Sequence, residues 1–486
     1  MVTLVVCKWA VGYLKACRSE CLFPGPPTLP ILGNALSFLG ATEYDIMDRF
    51  LKLWKNSSQV IQIRVLHILV LVVSDPDDIE KVLRGSDTQD KAPHFYRFFQ
   101  NIFRYGLVVL NGVQWKAHRK ATTPAFHKEL LDRYQELFNE EAAGFLQRVT
   151  TGTPSLVGPN SELFAMRSFA RTALDVQVDG NVDYAIPLIT DILHLFPRTF
   201  SKRTAQPLFW SDTLFGMTKL GRETEAALDK VKQFGLEFIE KKRRDLGEGG
   251  GAEQRAEQRP TLIDILLESH GKAALTDDEM MDQLVSFFGA AIETLDTSFG
   301  WLFKILSLRH DVQDRVLQEV RDVVGTQDLH PDHLARLEYT ERVIKEQLRL
   351  LPPFPFLARS NTRQATVFNG KHVPKDTSFL INIYGAHRDP RHWQEPLKFD
   401  PDRFLAGRSE GRHQYAYLPF SLGPRNCLGA RYAMIAMKTL LATVLPKYRV
   451  DPVDDGLTDP ASFPLQLGIS ARMPGGVRVV FTPRET

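Results

Sequence analysis

The decapeptide FSLGPRNCLG, residues 420–429, carries Cys427, one of 4 cysteines in the chain. The others, Cys7, Cys17 and Cys21, all precede Leu22, so Cys427 stands alone in the rest of the sequence. A free cysteine is usually a small buried hydrophobe. Here the neighbours open two other readings. Gly423 and Pro424 predict a tight turn, Gly429 allows close approach to the backbone, and ARYAMIAMKTLLATVL then reads as a helix. A sulfur at a helix N-terminus faces free N–H groups and the positive end of the dipole, which favour thiolate over thiol. A nucleophile would also need a base at hand. A thiolate held by backbone N–H groups suits a metal ligand equally well.

Two charged spacings stand out beside it. Glu346 and Arg349, in KEQLRLLPP, lie three residues apart on one helix face, as do Glu240 and Arg243. Such pairs are ordinarily exposed and worth ~0.2–0.5 kcal/mol. Trp115 and Arg119, in WKAHRK, also share a face, and none of the other five tryptophans has an arginine four residues later. Alone they read either as a Trp–Arg stack or as a guanidinium set to receive a carboxylate.

The elements that must position these residues are legible in outline. Residues 276–310, TDDEMMDQLVSFFGAAIETLDTSFGWLFKILSLRH, predict one helix opened by a Thr276/Glu279 capping box. At ~1.5 Å per residue its length is about 52 Å, enough to cross a domain. The next helix, DVQDRVLQEVRDVVG, stops at Gly325, and YTERVIKEQLRLL is stopped by Pro352 and Pro353. VIQIRVLHILVLVVSDP predicts two β-branched strands with a turn, DDIEKVLR a short helix, and the chain beyond about residue 115 is mainly helical. PGPPTLPILGN, 24–34, reads as a stiff connector. GEGGGAEQRAEQRP, 247–260, reads as an exposed loop. Its G-x-G-x-x-A match, Gly247 to Ala252, follows a charged helix end instead of a strand, so it is not a dinucleotide fingerprint.

Bulk properties narrow the class. The chain has 486 residues, 43% hydrophobic and 24% charged, with a net charge of +2. Length alone suggests roughly three domains. Near-neutral charge argues against a nucleic-acid partner. One cysteine after residue 21 precludes a disulfide framework in the main body and fits a reducing compartment. The apolar stretch Met1–Leu14 is interrupted by Lys8 and falls short of the ~20 residues a bilayer span needs. It reads as a membrane-surface segment or shallow anchor, with a signal peptide and an organelle presequence as alternatives.

Phe420, Gly423, Arg425, Cys427 and Gly429 form F-x-x-G-x-R-x-C-x-G. This resembles the haem-binding loop of the cytochrome P-450 family, the haem-thiolate monooxygenases. The resemblance implies Cys427 as axial iron ligand, Arg425 as partner of a haem propionate and Phe420 as a shield for the sulfur. LRLLPPFPFLAR after Glu346, and FDPDRF, resemble the same family and imply a buried structural triad of Glu346, Arg349 and Arg403. Trp115 and Arg119 match its W-x-x-x-R, and Arg359 resembles a further propionate partner. AAIETL, 290–295, resembles its oxygen-activating stretch, with Glu293 as acid and Thr294 as hydroxyl. A hydroxyl beside a carboxylate can relay protons. The plain alternative is a threonine bonded to a carbonyl one turn earlier, and a disturbed helix turn is compatible with both. Ala290 and Ala291 would let a flat cofactor and a substrate come close.

The stretch 420–450 is similar to the fourth family and its insect relatives, many of which hydroxylate fatty acids. That group often carries a glutamate esterified to haem where this chain has Ala290, so haem is expected without that link. Leu295 replaces the usual Thr or Ser. The implied fold is a single large, mainly α domain with a smaller β region, overriding the length estimate. Its expected divisions are an N-terminal membrane-associating segment (1–23), a Pro-rich hinge (24–36) and a catalytic domain (37–486). Haem should lie between the long helix and the Cys427 loop. The implied reaction inserts one atom of dioxygen into an apolar small molecule: a fatty acid, a lipid-like compound or a xenobiotic. Electrons would come from NADPH through a flavoprotein reductase at the cytosolic face of the endoplasmic reticulum membrane, or in mitochondria as the alternative. HFYRFFQNIFRYG, 94–106, should roof the pocket, and Phe354 and Leu357 should line it from below. The other classes in play are a haem-thiolate isomerase or dehydratase, and a non-enzymatic haem sensor.

Overall fold

The computed structural model describes residues 23–42, 44–54, 60–174, 191–192, 195–200, 202–203, 206–248, 260–273 and 275–485. All but Phe23 of the anchor expected over residues 1–23, and most of the loop expected over 247–260, lie outside them.

The principal helices are α1 (Pro76–Arg84), α2 (Pro93–Phe103), α3 (Gly112–Thr122), α4 (Gln135–Gln147), α5 (Gly158–Leu174), α6 (Lys219–Glu248), α7 (Asp277–Leu308), α8 (His310–Val323), α9 (Glu338–Leu350) and α10 (Ala430–Val444). The strands are β1 (Ile61–Val65), β2 (Ile68–Val73), β3 (Asp90–Lys91), β4 (Pro154–Leu156), β5 (Phe356–Ser360), β6 (Thr366–Phe368), β7 (Lys371–Val373), β8 (Ser378–Asn382), β9 (Tyr448–Pro452), β10 (Gln466–Leu467), β11 (Ala471–Arg472) and β12 (Arg478–Pro483). The architecture is mainly α with a smaller β region.

α7 is the axis of the helical body. Thr276 caps it, bonded reciprocally with Glu279, and its 32 residues run unbroken. Most of its residues from Met280 to Ser307 are buried, on every side of the helix. An all-round buried helix must lie at the centre of a bundle, and α7 packs on α5, α2, α6 and α9. Polar side chains on it therefore need partners: Gln283 bonds His118 at 2.9 Å, and Lys304 bonds Asp455 at 2.6 Å.

The main sheet has the order β1-β2-β8-β5-β3, with β2 and β8 parallel and the other neighbours antiparallel. β2, ILVLVV, is wholly buried because both faces are covered. Leu71 and Val73 join one apolar cluster with Phe379 and Ile381 of β8; Ile68, Val70 and Val72 join another with Leu380. β12 lies between β4 and β9 in a second sheet, and β10 pairs with β11. The two-residue turn of the β1–β2 hairpin places Leu66 at φ 55°.

The Pro-rich stretch is not a free spacer. Gln62 N donates to the Pro24 carbonyl at 2.8 Å and Asn34 N to that of Arg64 at 2.6 Å, so residues 24–34 dock along β1. Phe23, assigned on sequence to the N-terminal segment, is buried and meets the Phe368 ring at 6.2 Å. The folded body includes both.

Candidate active site

The Cys loop is built by its glycine and by one backbone bond. Gly423 has φ +79°, and a Cβ there would sit 2.8 Å from the Leu83 carbonyl oxygen. The turn it makes brings the Cys427 N–H to the Phe420 carbonyl at 2.8 Å. Cys427 then opens onto an interior cavity of about 550 Å³. Protein encloses it elsewhere, so burial pushes its pKa up, opposed by a hydrogen bond from the Gly429 N–H and by the charges of Arg119 and Lys91. The N–H that reaches the sulfur is that of Gly429, the N-cap residue of α10, as a helix N-terminus beside the cysteine predicts. Burial disfavours a free nucleophile, and the thiolate form goes with a cation at the sulfur.

All eleven residues singled out for cofactor, oxygen and substrate line this one cavity: Cys427, Phe420, Arg425, Trp115, Arg119, Arg359, Glu293, Thr294, Ala290, Phe354 and Leu357. Their pairings differ from the expected ones. The Arg425 guanidinium, not that of Arg119, stacks on Trp115, at 3.9 Å from the ring centroid. Arg425 also donates to the Leu110 carbonyl at 2.6 Å and to Asn111 Oδ1 at 3.1 Å. Arg119 instead bonds Asn426, at 3.0 Å to its carbonyl and 2.8 Å to Oδ1. These contacts tie α3 to the Cys loop at the two residues that precede the sulfur.

Lys91 is a cavity cation that the sequence reading missed. It stands in the two-residue strand β3, in register with Arg359 of β5, and its Nζ bonds the Tyr96 hydroxyl at 3.2 Å. Burial, then Arg359 and Arg425, holds its pKa well below the ordinary lysine value. Burial, then Arg359, lowers Arg425 to about 9, and burial also lowers Arg359 and Arg119. Among the described residues, Arg359 Nη2 and Arg425 Nε are buried with no hydrogen-bond partner, and the Asp90 carboxylate approaches Arg425 only to 3.5 Å. Lys91, Arg119, Arg359 and Arg425, crowded on one mainly apolar cavity that Arg97 also lines, suit a ligand bearing more than one carboxylate.

On the opposite wall, the Thr294 hydroxyl donates to the Ala290 carbonyl at 2.7 Å, and Ser298 repeats the pattern onto Thr294. The helix is not disturbed there. Glu293 is not hydrogen-bonded to Thr294 among the described residues. Its carboxylate accepts from Ser470 Oγ at 2.6 Å and from Arg472 Nε at 3.1 Å, and also pairs with Arg472 Nη2. The expected relay between adjacent side chains is therefore corrected: the two groups point to different partners in this state. α2 covers the cavity with His94, Phe95, Tyr96, Phe98, Phe99 and Phe103. Gly289 lets it do so, since a Cβ there would lie 2.4 Å from the Phe103 ring.

Away from the cavity, Glu346, Arg349 and Arg403 are brought together. Glu346 Oε2 accepts from Arg349 Nε at 2.7 Å, and Oε1 accepts from Arg403 Nε at 2.9 Å. The two arginines donate onward to the carbonyls of His387, Gln394, Pro396 and Lys398. His387, also missed on sequence, joins this network to the Cys loop. Its Nδ1 bonds the Arg349 carbonyl at 3.0 Å, and its Nε2 accepts from the Leu418 N–H at 2.7 Å. Burial, then Arg349, pushes its pKa down to about 3, so it is neutral with the proton on Nδ1.

A family model described as Cytochrome P450 matches residues 23–472. The chain is 30% identical over 456 residues to Cytochrome P450 4d2 of Drosophila melanogaster, covering 90% of each. It is 31% identical over 433 residues to Probable cytochrome P450 4p3 of the same fly, covering 85% of this chain and 82% of the relative. To Cytochrome P450 4A6 of Oryctolagus cuniculus it is 29% identical over 455 residues, covering 88% and 85%.

The chain belongs to the cytochrome P450 family. It is therefore a haem monooxygenase of the type that ligates iron through a cysteine thiolate, with relatives in the fourth family. The site fits that cofactor. Cys427 is the single cysteine within the matched residues, and Lys91, Arg119, Arg359 and Arg425 face the same cavity. Among the described residues no group of three or more His, Cys, Asp and Glu could hold a bare ion. A lone sulfur suits a metal that arrives with its own macrocyclic donors.

Proposed function

We propose that this P450 oxygenates an apolar, lipid-like small molecule, with electrons passed from NADPH by a flavoprotein reductase at the cytosolic face of the endoplasmic reticulum membrane. The observation that carries the reading is a cavity with the Cys427 thiol, Lys91, Arg119, Arg359 and Arg425 at one end and a mainly apolar remainder. Phe99, Phe103, Phe200, Trp210 and Phe356 line that remainder. A substrate bound there exchanges water for aromatic surface, with Arg97, held on the Trp210 carbonyl, and His94 as polar groups on the α2 wall.

Cys427 would hold the haem iron, with the Gly429 N–H supporting the thiolate. Arg119, Arg359, Arg425 and Lys91 would hold its propionates. When bound, haem supplies dioxygen activation, with the thiolate pushing electron density that favours O–O cleavage. The chain's own residues do the rest. Ala290 and Ala291 leave room on α7. The Thr294 hydroxyl holds a proton on the Ala290 carbonyl and can turn it into the cavity. Glu293 is the nearest buried acid on the same turn. The aromatic wall of α2 excludes water from the reacting carbon. The balance is one substrate C–H, one dioxygen, two electrons and two protons, giving one alcohol and one water.

The test is reconstitution of the full chain with a purified NADPH-dependent flavoprotein reductase, lipid-like substrates and ¹⁸O-labelled dioxygen. One labelled oxygen per product, dependent on NADPH, supports the reading. Labelled product from polar compounds only would remove the substrate class, and product without dioxygen would point to an isomerase or dehydratase.

A further inference from the structure

Asn111 stands where α3 begins and does not cap it. Asparagine is among the favoured N-cap residues because its side-chain oxygen can take an amide of the first turn. Here the Asn111 side chain makes no cap bond. Its bonds run outward instead. Oδ1 accepts from the Lys91 N–H at 2.7 Å and from Arg425 Nη2 at 3.1 Å, and Nδ2 donates to the Lys91 carbonyl at 3.1 Å. The amide thus takes both backbone polar groups of Lys91, as a neighbouring strand would, and ties β3 to the Cys loop.

Asp90 serves the helix end in its place. Its Oδ1 accepts from the Gly112 N–H at 3.3 Å, where the positive end of the helix dipole favours a carboxylate. Its Oδ2 accepts from Thr362 Oγ1 at 2.7 Å and lies 3.5 Å from Arg363 Nε. The same carboxylate stands 3.5 Å from Arg425 Nη2, the nitrogen that Asn111 holds. Asp90 and Arg425 are both buried, at 6% and 8% exposure, and opposite charges attract more strongly away from water. A neutral amide oxygen is therefore the closer partner of a guanidinium that has a carboxylate within reach. Arg425 lines the cavity; Asn111 and Asp90 do not.

We propose that Asn111 is a positioning residue for the cofactor: it holds Arg425 short of Asp90, leaving the guanidinium charge for a haem carboxylate, and fixes Lys91 beside it. Without Asn111, Arg425 closes on Asp90 and its charge is neutralised within the protein. This rests on the reading of Arg425 as a propionate partner.

The experiment uses the full-length holoprotein, wild type beside Asn111→Leu, Asn111→Asp, Arg425→Gln and the double variant of Asn111→Leu with Asp90→Asn. The haem reduction potential and the rate of haem loss to excess apomyoglobin are read for each. Asn111→Leu should lower the potential and speed haem loss on the order of 10-fold, the effect of one hydrogen bond to a charged group. The isosteric Asn111→Asp should lower the potential further, since it puts a carboxylate directly on Arg425. Asp90→Asn removes the competing charge, so the double variant should recover most of both losses. An amide with only a packing role predicts the reverse, a further loss on the second substitution. No recovery in the double variant, or a potential unmoved in Asn111→Asp, overturns the positioning role. Should Asn111→Leu fail to fold, the smaller Asn111→Ala, with and without Asp90→Asn, takes its place, and Asn111→Asp decides if neither folds. Unmoved potential and haem loss in Arg425→Gln would instead overturn the reading of Arg425 as a propionate partner, whatever the Asn111 variants show.

Discussion

At the scale of single residues, Thr294 can be tested apart from its neighbours. Its hydroxyl is engaged on the Ala290 carbonyl, so Thr294→Ala removes a proton carrier while leaving the helix backbone bonded. Product formation in the reconstituted system should fall on the order of 100-fold, the lower end of what positioned proton transfer contributes, while NADPH oxidation falls less. An unchanged ratio of product to NADPH would remove Thr294 from the reaction, and an isomerase or a sensor would be indifferent to the change. Cys427, Arg425 and Thr294 were legible because each sits in a short pattern with its neighbours. Lys91 was not, since a cation in a two-residue strand has no periodicity, and only the register with Arg359 shows where it faces. The Glu293–Arg472 pair was hidden by a separation of 179 positions along the chain.

At the scale of elements, the connection from α9 to the Cys loop carries two expectations. Glu346 is fully buried between Arg349 and Arg403. Glu346→Ala leaves two buried cations without their carboxylate and should cost about 3–5 kcal/mol, read as a lowered denaturant midpoint and loss of bound haem. A variant that keeps both would make the triad dispensable. His387 adds a pH dependence. Its folded pKa, about 3, lies below the unfolded value of ordinary histidine. The stability it contributes is therefore complete above about pH 6.5 and is lost as pH falls toward 3, by roughly 1.4 kcal/mol per pH unit within that window. Haem retention should weaken in step with that loss, and His387→Gln should flatten the dependence. Helix ends were readable from local chemistry, as the Thr276–Glu279 box shows. The short strand β3 was not, because two residues held by the distant β5 leave no local signal, and β10 and β11, which pair with each other, are too short to show an alternation.

At the scale of the molecule, the single mainly α body replaces the three domains that length suggests, because α7 threads one continuous helical core. The family resemblance supplied that correction; composition could not. No helix among the described residues is long and apolar enough to cross a membrane. The body includes Phe23, so removing residues 1–22 should spare the haem site and weaken sedimentation with microsomal vesicles. Equal sedimentation of the truncated and full chains would rule out the N-terminal segment as the anchor. The central claim is that Cys427 delivers its sulfur to haem iron. The most direct measurement is the carbon monoxide difference spectrum of the reduced protein, wild type beside Cys427→Ala. A strongly red-shifted Soret band in the wild type, lost in the variant, is the expected result. A band at the position of histidine-ligated haem, or a red-shifted band that persists in Cys427→Ala, would contradict it.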